Sequence, residues 1–155
     1  MSPADARALL FAGEAERDWA QVEANRRRAF LEDPANGGPE CAWVALALDH
    51  AYEAFETMLL RFERALALPV RHGAARHRSL LTDASHVILG LRPVIVPPAA
   101  LLDWLDLLAF RHFLRHAYSA ELDPVSLAAL RGRLSQAVAE TEPAVQAMLA
   151  ALRGD

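Results

Sequence analysis

The sequence is poor in the residues that would suggest a sheet, a disulfide scaffold or a membrane span. It has a single cysteine among 155 residues, so no intrachain disulfide can form. That residue, Cys41, sits in the apolar run CAWVALAL, where a buried thiol is expected and a nucleophile is not. Aromatics make up only 7% and isoleucine is nearly missing, while alanine and leucine dominate, so helix formers far outnumber strand formers. No uninterrupted apolar run approaches the ~20 residues of a membrane span, and the N-terminus lacks a basic region followed by a long apolar stretch. A reduced, cytoplasmic protein is expected. A basic excess is absent too: the net charge of -4 argues against broad, nonspecific binding of nucleic acid, so any RNA or DNA site must be local. What the chain does have is 54% hydrophobic residues, enough to bury a core within one domain spanning 1–155.

Proline and glycine divide the chain into five helical segments. Ser2-Pro3 reads as an N-cap followed by proline at the first helical position, opening a helix to about Phe30. EDPANGGPE breaks it, and helical spacing resumes from Ala42 to Leu68 before Pro69. A third helix is expected over about Ala74 to Leu89, stopped by Gly90. RPVIVPP is an extended connector whose last prolines open a fourth helix ending near Ser119. Asp123-Pro124 caps a fifth that reaches Leu152, with Pro143 expected to kink or split it. Short connections between such helices imply an all-α antiparallel bundle. Trp43 and Trp104 read as core residues.

The fourth helix changes character at FRHFLRHAY, Phe110 to Tyr118. On an ideal helix Arg111, His112, Arg115, His116 and Tyr118 share an arc of about 160°. One or two cations would suffice to complement a helix C-terminus, so a patch this large points to an anion such as phosphate. Histidine titrates near neutrality and can take or give a proton, and arginine can neutralise charge on a phosphoryl group, which together are the parts of metal-free RNA cleavage. Arg111 and His116 lie about 140° apart, too far round for one phosphate. Twofold pairing of this helix with a second copy would supply the missing half. His112 and His116 have the spacing of a two-histidine metal site, but no third ligand is evident, and no metal or cofactor is expected.

Other groups have weaker claims. Arg71, His72, Arg76, His77 and Arg78 form a second basic cluster, a solvated face or a contact for RNA or a partner. Asp49, Tyr52 and Glu56 make a stripe on the second helix that an ordinary polar face explains but that could line the same cleft. Asp103 and Asp106, in the apolar half of the motif helix, are expected to meet Arg or His across a dimer or to face solvent.

Arg111-His112-Phe113-Leu114-Arg115-His116 resembles the Arg-x4-His motif of the HEPN superfamily, and with Tyr118 it resembles the Arg-x4-His-x-Tyr form of HepT-like toxins. LDHAYEAFETMLLRFERAL is similar to their second helix and ARHRSLL to their third. RPVI followed by FRHFLRHAYSAELD is similar to their motif region, so the likeness runs from about Cys41 to Leu130. The resemblance implies a homodimeric endoribonuclease toxin joined through the motif helix, with Arg111 and His116 as the catalytic pair and His112 and Arg115 as possible support. It also implies a nucleotidyltransferase antitoxin as partner, which transfers AMP to Tyr118. A member that binds RNA or the nucleotidyltransferase without cutting is the alternative, since fold does not secure activity.

Overall fold

A computed structural model describes residues 1–117 and 121–155. Five helices follow one another: α1 (Pro3–Arg28), α2 (Gly38–Ala65), α3 (Arg76–Ala84), α4 (Pro98–His116) and α5 (Pro124–Arg153), with a 3-10 turn at Pro34–Asn36. Among the described residues the only strand-like pairing is an isolated bridge between Ile88 and Arg92. The chain is an all-α bundle, as its composition implies.

The two caps expected from the sequence form. Ser2 accepts from the Asp5 backbone N–H while the Asp5 carboxylate accepts from the Ser2 backbone N–H, a reciprocal capping box. Asp123 accepts from the backbone N–H groups of Val125 and Ser126 at 3.3 Å, with Pro124 in the first turn.

The boundaries of α2 and α3 differ from those expected. α2 starts four residues earlier than Ala42, because Gly37 adopts φ 71° as its N-cap and Pro39 falls in the first turn. It ends at Ala65, where Leu68 N–H bonds the Glu63 carbonyl and Ala67 N–H bonds the Arg64 carbonyl. This is a Schellman closure with Ala67, at φ 55°, in the left-handed place that glycine prefers. α3 stops at Ala84, well short of Leu89. The buried Arg92 guanidinium donates to the carbonyls of Asp83, His86 and Pro93 and holds the following residues in a turn.

α5 runs unbroken through Pro143 and is not split there. Its neighbours explain this: Glu142 accepts from the Trp19 indole, Thr141 Oγ1 accepts from the Trp104 indole at 3.0 Å, and Val138 and Val145 are buried on either side. Packing therefore holds the helix across a position that proline disfavours locally.

All five helices feed one apolar core. At its centre Phe55 of α2 stacks on Trp104 of α4, with ring centroids 3.6 Å apart and planes within 8°. Trp43 is not in that core; it is 61% exposed on the open face of α2. The buried face of α2 is set by Val44, Leu48, Ala51, Phe55, Leu59 and Phe62, and position 43 lies off that face. Nor is α4 sunk in the bundle. Ala100, Trp104 and Leu107 are its buried residues, whereas Leu102 is 71% and Phe113 42% exposed.

Two substitutions test these backbone readings. Ala67→Gly should stabilise the fold by about 1 kcal/mol by relieving left-handed strain, and Pro143→Ala by about 1–3 kcal/mol by restoring the missing backbone donor. Both are read as increases in the midpoint of urea unfolding at unchanged slope. A loss of stability at either position would contradict the account given for it.

Candidate functional site

The motif end of α4 lies against the N-terminal half of α2, and the two helices run antiparallel. Trp104 meets Phe55, and two turns further along α4 the Arg111 guanidinium meets Asp49 and Glu53. The register follows from helix periodicity, since Arg111 is seven residues beyond Trp104 and only about 20° away around the axis. Burying the indole therefore turns Arg111 toward α2.

Arg111 is firmly held. Its Nη1 donates to Asp49 Oδ1 at 3.2 Å and lies 3.5 Å from Glu53 Oε2, while Arg115 Nη2 is 3.7 Å from Asp49 Oδ2. Asp49 is nearly buried, and its charge is compensated by two guanidinium groups, of which Arg111 is mostly buried and Arg115 half exposed. Asp49 thus belongs to the site and is more than an ordinary polar face. Glu53 was not singled out by the sequence reading. Its position one turn beyond Asp49 on the same face was the available signal.

The imidazoles face the other way. His112 and His116 are exposed, with ring centroids 4.3 Å apart. His116 Nδ1 lies 2.8 Å from the His112 carbonyl oxygen, which can only accept, so Nδ1 carries the proton. In the neutral ring Nε2 then keeps its lone pair toward solvent, which is the form a general base needs. Within one chain the structure does not join Arg111 to His116, and no hydrogen bond or ion pair links them among the described residues. Tyr118 lies outside the described residues.

The second basic cluster sits apart, around the start of α3. Arg71 is paired with Glu63 and Asp83, so its charge is spent within the fold. Hydrogen bonds to both carboxylates outweigh the effect of burial and raise its pKa further. His77 Nδ1 lies 2.7 Å from Glu56 Oε1, and Glu56 Oε2 accepts from the Tyr52 hydroxyl at 2.9 Å. Burial, reinforced by the neighbouring Glu56, pushes the Tyr52 phenol far above its ordinary value, so it stays a neutral donor. Arg76 donates to the Gly73 carbonyl, and Arg78 and His72 are exposed. Asp106 meets Arg133 of α5 at 3.2 Å in the same chain. Burial, with Glu140 nearby, raises the pKa of Asp103. No group of three His, Cys, Asp or Glu side chains gathers as a metal site among the described residues, and no helix there is long and apolar enough to cross a membrane.

The Arg111 clamp has a measurable consequence. Asp49→Ala should cost about 1–3 kcal/mol, because among the described residues it leaves a mostly buried guanidinium with only the exposed Glu53 as an ion-pair partner. Glu53→Ala should cost under about 1 kcal/mol. Thermal unfolding of the two variants checks the order, and equal losses would mean that Asp49 does not anchor the arginine.

Comparison with known proteins adds one positive finding: a family described as "HepT-like protein" matches residues 43–152. No curated protein and no solved structure matches the chain.

Proposed function

The chain belongs to the HepT-like family of the HEPN superfamily, and on that footing we propose that it is a metal-independent endoribonuclease toxin acting as a homodimer in the cytoplasm. The observation that carries the reading is the division of α4. A clamped guanidinium faces α2, a base-ready imidazole faces outward, and an apolar stripe of Leu102, Leu105, Ala109 and Phe113 runs between the exposed flanks. Such a stripe suits a twofold seam, and pairing across it sets His116 of each copy beside the motif of the other.

In the composite cleft His116 Nε2 removes the proton from a ribose 2′-hydroxyl. The 2′-oxygen bonds to the adjacent phosphorus, the bond to the 5′-oxygen breaks, and that oxygen takes a proton from the second imidazole. The products are a 2′,3′-cyclic phosphate and a 5′-hydroxyl end. Arg111, oriented by Asp49, neutralises the crowded phosphate, with Arg115 and His112 beside it. A nucleotidyltransferase antitoxin silences the site by transferring AMP to Tyr118, which adds negative charge seven residues along the chain from Arg111. One observation favours a second reading, a catalytically silent subunit that binds RNA or the nucleotidyltransferase: two carboxylates already occupy the arginine.

Incubation with RNA in EDTA separates the two. Cleavage by the wild type should fall by at least about 100-fold in His116→Ala and in Arg111→Ala. Phe113→Asp, at an exposed position, should lower the dimer fraction and the cleavage rate together. Equal inertness of wild type and His116→Ala would leave the silent subunit as the account. Cleavage by a strictly monomeric wild type would sink the composite cleft.

A further inference from the structure

The open face of α2, between α1 and α4, begins at an indole that the core does not use. Trp19 and Trp104 are buried and hydrogen-bonded, whereas Trp43 is 61% exposed. It forms one wall of a groove of about 350 Å³ between the C-terminal end of α1 and the N-terminal half of α2, shared with Arg28, Leu31, Leu46 and His50. The last turn of α1 carries Arg26, Arg27 and Arg28. The first two share the single carboxylate of Glu23, and Arg28 donates to the uncharged Asn25 side chain at 3.2 Å. Glu32 is the one acidic group lining the groove. This chain is acidic as a whole, yet Arg28, in no ion pair among the described residues, stands beside an exposed aromatic face.

The groove is also in line with the motif site. Trp43, Leu46, His50 and Glu53 succeed one another at intervals of three and four residues along the open face of α2, and Glu53 touches Arg111. The rise from Trp43 to Glu53 is ~15 Å. A strand whose phosphate reaches Arg111 can therefore lay a neighbouring part of itself over the indole.

We infer that Trp43 is a stacking platform for an unpaired base of single-stranded RNA, with Arg28 holding the adjoining phosphate, and that it sets the register in which the strand enters the motif site. A flat aromatic face takes any base, and a flanking guanidinium takes the backbone, which is how strands are held without sequence readout. The groove sets the Arg28 cation beside the indole, the pairing of charge with an aromatic face that a nucleotide's phosphate and base call for. The inference rests on RNA being the ligand of the proposed toxin, and it assigns the binding step to residues distinct from the motif.

The test uses the full chain and a single-stranded RNA oligomer carrying 2′-O-methyl groups, which binds but cannot be cut. Because the other two indoles are buried, the change in tryptophan emission on binding reports Trp43. The wild type should bind with quenched emission. Trp43→Ala should bind about tenfold more weakly, and Trp43→Phe within about threefold of wild type. Arg28→Ala should weaken binding and flatten its salt dependence. With cleavable RNA, Trp43→Ala should raise KM while kcat holds. Wild-type affinity in Trp43→Ala, with cleavage intact, overturns the platform and leaves the ribonuclease reading standing. Conversely, Trp43-dependent binding without any cleavage by the wild type supports the platform and removes the ribonuclease. A changed oligomeric mass, or loss of a nucleotidyltransferase from the complex, with RNA affinity unaltered in Trp43→Ala also overturns it, and marks the groove as a protein surface.

Discussion

The rotation of α4 about its own axis governs the rest of this molecule, and Trp104 sets it. The indole is stacked on Phe55 and donates its N–H to Thr141, so it is fixed by α2 on one side and α5 on the other. Helix periodicity does the remainder. Arg111 follows Trp104 at about 20° and is driven onto Asp49, while Phe113 lies about 180° away and faces outward. His116, about 120° round, ends on the flank between them. A single buried aromatic thereby distributes the motif between an inner, charge-clamped half and an outer, titratable half.

That division has a cost in the isolated chain. Asp49 is nearly buried and must be compensated, and the arginine that compensates it is also the group best suited to a phosphate. The carboxylates orient the guanidinium and lower the local positive potential together. A phosphate approaching Arg111 meets a preorganised donor and, in Glu53, an exposed acidic neighbour that can swing aside. The same ion pairs can hold an arginine ready or hold it inert, which is why cleavage and binding lead to different experiments although the geometry is shared.

Much of the fold was legible in the residues because it rests on local chemistry. The Ser2 and Asp123 caps, the prolines that open α4 and α5, and the helical spacing of apolar residues all act within a turn or two of chain. Several features that the reading missed depend on a more distant group. The Arg92 guanidinium ends α3 early by drawing on carbonyls from Asp83 to Pro93. Two indoles from α1 and α4 steady the helix on the side preceding Pro143. Trp43, expected inside on residue type alone, stands outside because the face of α2 is chosen by the helices that pack on it.

The candidate site divides along the same line. The order and types of Arg111, His112, Arg115 and His116, and the angles between them, follow from the sequence and the pitch of a helix. That Arg111 would turn inward onto Asp49 and Glu53 while His116 stayed in water, and that Arg71 would be consumed by Glu63 and Asp83, required the bundle to be assembled. Periodicity specifies directions relative to one helix axis. Only packing between helices specifies which of those directions is the interior, and charge compensation across that boundary then decides which cations stay free.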